Sequence, residues 1–405
     1  MKDAAMTNAQ GTPNEAWALK GSNQTTVRAY NERLVLHLIR RRGALSKAEA
    51  TRATGLSANA TSTIFRALEQ DGLLLRGDPT RGRIGQPSVP LHLNPDGRFY
   101  IGLKIGRRSF DIVVIDFVGA VRACRSASHA YPTPDSTRAF IETQLPALLG
   151  AAGLHRDDIS GSGIAMPTGL WEWLDDFEAA PDEMDEWRDF TAQRDLKDLL
   201  PGPIIVENDG TAACRAEWAF GLQIDRPDSI YFFIGTFIGG GIVLNGSVFR
   251  GCHGNSGGFG PVRVPDEPGG TRLIDHASLT ALCRMCETAG QSLDVAMIEN
   301  ADWGNLEPVL SQWIARASRG LAHAIVSAAA VVDFENVIID GCFPEDVRTR
   351  LRDEVDLQLG SLDLQGIIRP PIIVGSFGGG ARAVGAAAGH ITSRYMVDNP
   401  LAPLG

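Results

Sequence analysis

The chain has 405 residues, of which 44% are hydrophobic and 21% are charged. This composition is typical of a globular protein with two or three domains, each with its own core. Residues 1–20 contain no apolar run, and the longest apolar run, at 322–332, is too short to cross a bilayer. We therefore expect neither a signal peptide nor a membrane anchor.

The cysteines are scattered and lack the spacing of a disulfide scaffold, which indicates a reducing compartment and predicts a cytoplasmic protein. They are Cys124, Cys214, Cys252, Cys283, Cys286 and Cys342. Cys283 and Cys286 form a CxxC pair without a second pair. We interpret them as packed or free thiols rather than as a zinc site.

Charge divides the chain into a basic beginning and an acidic remainder. Residues 1–98 contain 14 Lys and Arg against 8 Asp and Glu, a balance of +6. Subtracting this from the whole-chain charge of −10 leaves −16 for residues 99–405. Because a phosphate backbone attracts the first part and is repelled by the second, any nucleic-acid partner is expected to meet the first hundred residues.

Three helices are predicted at the start of the chain, after a flexible tail at 1–22. The first covers 24–42, a short one begins with a capping box at Ser46, and Ser57 caps a third after a turn at Gly55. The predicted apolar face of the first helix consists of Val27, Leu34, Val35, Leu38 and Ile39. Two strands, at 73–76 and 89–93, enclose a basic loop. Residues 23–95 are therefore predicted to form a winged helix-turn-helix.

Such a domain reads DNA with the first side chains of its third helix. We expect base contacts from Ser57, Asn59, Thr61 and Ser62, a phosphate contact from Arg66, and further DNA contacts from Arg81, Arg83 and Gln86 in the wing. The alternative is a small helical subdomain whose basic residues are solvated.

From residue 96 onward, strands alternate with helices, which predicts an α/β body of two lobes. We assign 96–205 to the first lobe, with 382–398 packing back onto it, and 206–381 to the second.

Two glycine-rich segments follow strands in the body. In the segment 235–241, a phosphate-binding loop would use Gly235, Thr236, Gly239, Gly240 and Gly241. A tight β-hairpin explains the same pattern. The segment 375–381 fits either a similar loop or the packing of one lobe on the other.

Polar side chains end the apolar strand before residue 210. Asp209 lies where a carboxylate faces a cleft and acts as a general base, but it also suits a helix cap, and both roles are compatible. Trp171 and Trp173 belong to an aromatic and acidic loop that fits either a sugar ligand or lobe packing.

Together these segments resemble the ROK family of repressors, open reading frames and kinases, which has an actin–hexokinase fold. The resemblance rests on the winged helix with Gly85-Gln86-Pro87, on IVENDGTAACRAE, on GTFIGGGIVLNGSVFRG and on the terminal GAAAG. It implies that Asp209 corresponds to the catalytic base of the kinases and Asn208 to a sugar contact.

Several departures from the kinase pattern argue against phosphoryl transfer. Lys104 replaces the first phosphate-loop aspartate, and the resulting positive charge disfavours a magnesium–nucleotide complex. Gly257-Gly258-Phe259-Gly260-Pro261 replaces Gly-Glu-Ile-Gly-His, and a later sugar-binding glutamate aligns with Ile274. The three zinc cysteines are missing, and Asp340-Gly341-Cys342 replaces a glycine triplet.

The sequence thus predicts a homo-oligomeric transcriptional repressor of carbohydrate-related genes. It would bind a double-stranded operator and a small-molecule effector, a sugar or a derivative, without zinc, ATP or magnesium. The enzyme alternative is an ATP-dependent sugar kinase that uses Asp209 as its base. A third hypothesis is an interaction protein whose body docks another protein.

Overall fold

The computed structural model describes residues 24–79, 89–172, 181–221, 228–265, 270–291, 293, 298 and 301–397. The predicted tail and most of the predicted wing, including Arg81, Arg83 and Gln86, lie outside these ranges, and so does Trp173. In the described ranges no helix is both long and apolar enough to cross a membrane.

The chain begins with three helices: α1 (Gln24–Arg42), α2 (Lys47–Thr54) and α3 (Ala58–Gln70). The predicted capping box at Ser46 is present, and Gly55 ends α2 with a left-handed φ of 70°, which favours glycine. Ser57 caps α3 by accepting a hydrogen bond from the Ala60 amide. Two short antiparallel strands follow, β1 (Leu74–Arg76) and β2 (Leu91–Leu93). These five elements are called the head below.

The core of the head is built from α1 and α3. Val35 and Ile39 are fully buried, as the helical pattern of α1 predicts, but Val27 is 46% exposed. The prediction for Val27 was wrong because the core of the head reaches only the later turns of α1. Helix α3 buries Thr61, Ile64, Phe65 and Leu68, the spacing of a single helical stripe.

The first lobe contains a five-stranded sheet in the order β5-β4-β3-β6-β7. Strands β3 (Phe99–Ile105), β4 (Ser109–Ile115) and β5 (Val121–Ser128) form an antiparallel meander. After α4 (Pro134–Ala152), β6 (Ile159–Met166) and β7 (Ile204–Asn208) run parallel to β3. Two short helices, α5 (Pro181–Asp185) and α6 (Ala192–Asp195), lie between β6 and β7. The expected lobe boundary between residues 205 and 206 falls inside β7.

The second lobe repeats this arrangement with the order β10-β9-β8-β13-β14. An antiparallel meander, β8 (Ser229–Ile234), β9 (Ile238–Leu244) and β10 (Ser247–Phe249), is followed by the parallel strands β13 (Asn336–Gly341) and β14 (Ile372–Val374). The remaining elements are β11 (Arg263–Val264), β12 (Thr271–Arg272), α8 (Ile274–Ala277), α9 (Leu279–Thr288), α10 (Val309–Ala329) and α11 (Glu345–Gly360).

Two helices join the lobes, α7 (Asp209–Phe220) and α12 (Ala381–Tyr395). They cross so closely that a Cβ on Gly385 would lie 1.6 Å from the carbonyl oxygen of Ala212. Glycine is therefore required at this crossing, because any side chain would force the two helices apart. Helix α12 also packs on β3 and β6, which ties the end of the chain to the first lobe.

The head packs on the body through α1. Leu36 and Ile39 share a hydrophobic cluster with Phe117 and Tyr395 of the body. Arg40 donates a hydrogen bond of 2.7 Å to the carbonyl oxygen of Phe117. The same guanidinium lies 5.3 Å from the ring centroids of Phe117 and Phe220. Helix α1 therefore contacts the end of α7 as well as the first sheet.

Candidate functional site

A cavity of about 310 Å³ opens between the two lobes. The first lobe contributes Arg107, Thr168 and Asn208, the last residue of β7, and α7 contributes Asp209. The second lobe contributes the turn between β8 and β9 and the segment 255–261. The volume of the cavity lies at the lower end of the range of small-molecule sites. The predicted sugar contact, Asn208, and the predicted base, Asp209, thus line the same cavity as the predicted phosphate loop.

Asn208, rather than Asp209, caps α7. The Asn208 Oδ1 accepts hydrogen bonds from the amides of Gly210 at 2.9 Å and Thr211 at 3.2 Å. Its Nδ2 donates to Thr168 Oγ1 at 3.2 Å and to Asn255 Oδ1 at 3.4 Å. The capping role expected of Asp209 was wrong because the helix starts one residue earlier than predicted. Capping by Asn208 leaves the Asp209 carboxylate at the cavity wall.

The Asp209 carboxylate faces an arginine across the cavity. Arg107 Nη1 lies 4.0 Å from Asp209 Oδ2, and both side chains are about 15% exposed. The Arg107 guanidinium stacks on the ring of Phe237, 4.6 Å from its centroid. The two groups therefore form an ion pair at the wall of the cavity.

The predicted phosphate loop is the tight hairpin turn between β8 and β9. The segment is therefore a hairpin, as the alternative interpretation has it, and part of it also faces the cavity. The Gly235 amide donates to the carbonyl oxygen of Phe237 at 2.8 Å. Gly235, Thr236, Gly239 and Gly240 line the cavity. Gly241 does not line it, which corrects its predicted role. A Cβ there would lie 2.4 Å from that of Cys214, so this glycine serves the packing of β9 on α7.

Lys104 is buried and paired with an acid instead of lining the cavity. Its ammonium donates to Ser109 Oγ at 2.6 Å and to Asp111 Oδ2 at 2.5 Å. Burial alone would raise the pKa of Asp111, but the Lys104 ammonium outweighs it, and the pKa is lowered. The positive charge that the sequence placed at this loop is therefore neutralised within the lobe, and Arg107 is the residue of this loop that reaches the cavity.

Asp340, near the end of β13, holds the segment 375–381 in place through hydrogen bonds. This fully buried carboxylate accepts hydrogen bonds from the Tyr231 hydroxyl at 3.0 Å, from Arg348 at 3.1 Å and from the amide of Gly378 at 3.0 Å. Burial raises the pKa of this carboxyl, against the opposing effect of Arg348. A carboxylate network thus stands where the resemblance places a glycine triplet beside a nucleotide base.

The positions aligned with the family's sugar and zinc residues do not supply those ligands. Gly258, Pro261 and Ile274 line the cavity without a polar side chain. In α8, His276 is buried and bonds with the Thr271 hydroxyl. Across the described ranges, no three His, Cys, Asp or Glu side chains cluster as a metal site would require. Cys283 and Cys286 are buried thiols in α9. The described residues here do not fit zinc.

Trp171 lies outside the cavity wall. Its ring packs against the core of the first lobe, and the Arg188 guanidinium lies 5.5 Å from the ring centroid. The structure thus favours lobe packing, the alternative interpretation, over a ligand contact for this residue.

Of the predicted DNA-contacting side chains, Asn59, Ser62 and Arg66 lie on one side of α3, and Ser57 lies at its cap. Ser57, Asn59 and Arg66 are exposed and Ser62 is half-buried. Thr61 is a correction: its side chain is fully buried, and its hydroxyl accepts a hydrogen bond of 3.1 Å from the Thr51 hydroxyl of α2. Thr61 therefore holds α3 on α2 and is turned away from any duplex.

Sequence reasoning missed several residues of the cavity, among them Arg107, Asn255 and Arg382. Arg107 carried a visible signal, since it stands where the family has a glycine. Asn255 lies between the matched segment that ends at residue 251 and the altered segment 257–261, and was not singled out. Arg382, the second residue of α12, lines the cavity although it is distant from the rest of the site in sequence.

Two sheets of the same strand order, joined by two helices around a cleft, define the actin–hexokinase class of fold. Within that class the chain belongs to the ROK family, which it matches over residues 100–391.

Two known proteins are similar to this chain in sequence. The chain is 26% identical over 88% of its length to the uncharacterised protein y4fQ of Sinorhizobium fredii, covering 89% of that protein. It is 23% identical to the xylose repressor of Bacillus subtilis, over 60% of this chain and 62% of the repressor.

Solved structures share the fold. A ROK family transcriptional regulator, a homologue of the E. coli MLC protein, aligns with 93% of this chain and 98% of its own, with a TM-score of 0.65 and 20% identity. A ROK family glucokinase from Streptomyces griseus, in complex with glucose and AMPPNP, aligns with 71% of this chain and 98% of its own, with a TM-score of 0.55 and 22% identity.

Proposed function

We propose that this protein is a transcriptional regulator, a repressor of carbohydrate-related genes, that binds duplex DNA through its head. One observation carries the proposal: α2, the turn at Gly55 and α3 have the order of a helix-turn-helix, and α3 exposes Asn59 and Arg66 on one side, with Ser57 exposed at its cap. Strands β1 and β2 follow where a winged domain has its wing. The xylose repressor and the MLC homologue are family members with regulatory names, which supports the same proposal.

Specific contacts are assigned within α3. Asn59, in the first turn, is suited to pair with an adenine edge, and Arg66, two turns later, is suited to a phosphate. We also propose that the wing residues Arg81, Arg83 and Gln86 add contacts to the backbone or the minor groove. Two heads in a homodimer or homotetramer would occupy the halves of a pseudo-palindromic operator.

The test measures fluorescence anisotropy of labelled duplexes from the region upstream of the gene. Asn59→Ala should weaken binding to the preferred duplex by about 10-fold to 100-fold and remove the preference for its sequence. Arg66→Ala should weaken binding to all duplexes alike and lower the salt dependence by about one counterion. Gln70→Ala, at the exposed end of α3, is the matched control. Equal affinity of all four proteins would contradict the assignment.

The body is proposed to sense a small molecule, a sugar or a sugar derivative, in the cleft. Helix α7 provides a physical route from the cleft to the head. Asn208 and Asp209 stand at its start, and Phe220 at its end lies against Arg40 of α1. Its 12 residues span about 18 Å as a rigid element. A ligand that moves the start of α7 would thereby move the surface on which α1 rests.

We propose that the body does not use ATP, magnesium or zinc. Lys104 takes the place of the aspartate that would hold the metal, and Asp340 ties the segment 375–381 to β13 with its own hydrogen bonds. Arg107 stands 4.0 Å from Asp209 and pairs with the candidate base.

A sugar kinase is the second candidate, because Asp209 lies at the cavity next to the turn at Gly235 and Thr236. A coupled ATP assay with a panel of sugars decides between the two. The regulator predicts no sugar-dependent ATP consumption. Turnover that is abolished by Asp209→Asn would establish the kinase.

A further inference from the structure

We infer that the cleft takes a ligand with two unlike ends, a polyhydroxylated ring and an apolar group of the size of a small ring or a short chain. An aryl or alkyl glycoside is a ligand of this class. The inference rests on the proposed role of the body as a sensor and specifies the chemistry of the ligand that the body senses.

One part of the cavity lining consists of polar side chains that form hydrogen bonds with one another. Thr168 and Asn208 belong to the first lobe, and Asn255 reaches them from the second. The Asn208 Nδ2 donates to Thr168 Oγ1 at 3.2 Å and to Asn255 Oδ1 at 3.4 Å. Because hydroxyl and amide groups both donate and accept, they match the hydroxyl groups of a polyol. These three residues are called the polar wall below.

Four described residues of the second lobe line the cavity with an apolar side chain or with none. They are Ile238 at the start of β9, Gly260, Pro261, and Ile274 at the start of α8. These residues lie close together, since a Cβ on Gly260 would be 3.2 Å from the carbonyl oxygen of Ile238 and 3.6 Å from the Cβ of Ile274. Because three separate segments of the chain meet here, the surface can cover a group larger than one methyl. These four residues are called the apolar wall.

The backbone of the apolar wall offers a ligand few hydrogen-bond donors. Pro261 has no N–H group, and the amide of Ile274 donates to the carbonyl oxygen of Gly260 at 3.1 Å. Arg272, two residues before Ile274, also lines the cavity, and its guanidinium pairs with Asp275 at 2.8 Å. A ligand hydroxyl placed against this wall would lose its hydrogen bonds to water without full replacement, which weakens binding by about 10-fold. An apolar group has no such cost.

The two walls together define the class of the ligand. A group that covers the apolar wall is removed from water, and each buried methylene should raise the affinity by about 4-fold and a phenyl ring by at least about 10-fold. The polar wall holds the hydroxylated ring through directional hydrogen bonds. Both walls line one cavity of about 310 Å³, so a single small ligand can contact both.

The experiment is calorimetric titration of the full-length protein with two sets of probes. One set is glucose, methyl β-glucoside, phenyl β-glucoside and cellobiose, and the other is galactose, methyl β-galactoside, phenyl β-galactoside and lactose. In at least one set the affinity should rise from the free sugar through the methyl to the phenyl glycoside, which should bind at least about 10-fold more tightly than the free sugar. The disaccharides control for size. Because their second ring is hydroxylated, they should bind no more tightly than the free sugar.

Variants connect the preference for the phenyl glycoside to the apolar wall. Ile274→Asn should weaken binding of the phenyl glycoside more than binding of the free sugar, so that the preference falls by about 10-fold. Ile274→Val keeps the wall apolar and should retain most of the preference. Pro261→Ser, at an exposed position, should act like Ile274→Asn and decides if that variant fails to fold. Ile368→Asn, at a site that is 76% exposed and outside the cavity lining, is the matched control and should not change binding.

Phenyl glycosides that bind no more tightly than the free sugars in both sets would overturn the inference, and so would disaccharides that bind as tightly as the phenyl glycosides. The absence of binding by every probe would overturn it as well. DNA binding is measured on the same preparation without ligand. If DNA binds and no preference for a phenyl glycoside is found, the inference fails and the regulator stands. If the preference is found and no DNA binds, the regulator fails and the ligand class stands.

Discussion

Acidification should destabilise the protein through His37, a buried side chain of α1. This side chain is 2% exposed, and its Nε2 accepts a hydrogen bond of 3.4 Å from Arg41, which requires a neutral ring. Burial, with the charges of Arg41 and Arg40, lowers the pKa of His37 from 6.5 to about 4. The unfolded chain therefore binds this proton more readily than the folded one, so the stability is complete above pH 6.5 and is lost as the pH falls towards 4.

Between pH 7.5 and pH 5 the loss from this one residue should be ~2 kcal/mol, from the two pKa values and the linkage relation. The assay is urea unfolding of the wild type and of His37→Gln at both pH values. The wild type should lose ~2 kcal/mol more on acidification than the variant, which cannot take up this proton. His155→Gln, at an exposed site, is the control, and its free energy of unfolding should fall between the two pH values by as much as that of the wild type. An identical pH dependence in the wild type and His37→Gln would refute the reasoning.

Three further predictions concern packing, charge and metal. Gly385→Ala should lower the free energy of unfolding by about 3 kcal/mol because the new Cβ meets Ala212. Gly150→Ala, with open space around it, should raise the free energy of unfolding by about 0.5 kcal/mol. Urea unfolding compares the two variants. Arg40→Met should change the unfolding free energy by less than about 1 kcal/mol. The variant loses a charged hydrogen bond and two ring contacts, together worth roughly 3 kcal/mol, but it no longer has the cost of burying the guanidinium, which is of similar size. That burial lowers the pKa of Arg40 to about 10. A loss above about 3 kcal/mol on urea unfolding would contradict the balance. Prolonged treatment with EDTA should leave the Tm unchanged, and a fall in Tm reversed by zinc would show a metal site that the described residues do not reveal.

The head was largely predictable because its signals are local. The capping box at Ser46, the glycine at position 55 and the cap at Ser57 each act within one turn of helix, so sequence spacing captures them. Thr61 was misassigned because the inward stripe of α3 follows residues 61, 64, 65 and 68, while its neighbour Ala60 is only half-buried. The choice between these faces is made by packing on α2, which spacing does not contain.

The cleft was only partly predictable. Asn208 and Asp209 follow a strand and precede a helix, so their position at a strand end was visible in the sequence. Arg382 joins them only because α12 packs back against β3 and α7, a long-range arrangement that leaves no local pattern. The role of Lys104 also depended on a distant partner, since Asp111 on the neighbouring strand neutralises it.

The central claim, that the basic head binds duplex DNA, is tested most directly by a salt titration. Binding of the purified full-length protein to labelled fragments from the region upstream of its own gene is followed at increasing salt concentrations. We predict a complex at low salt with one preferred fragment, and a steep linear fall of the logarithm of affinity with the logarithm of salt. No complex with any fragment at the lowest salt concentration would contradict the account.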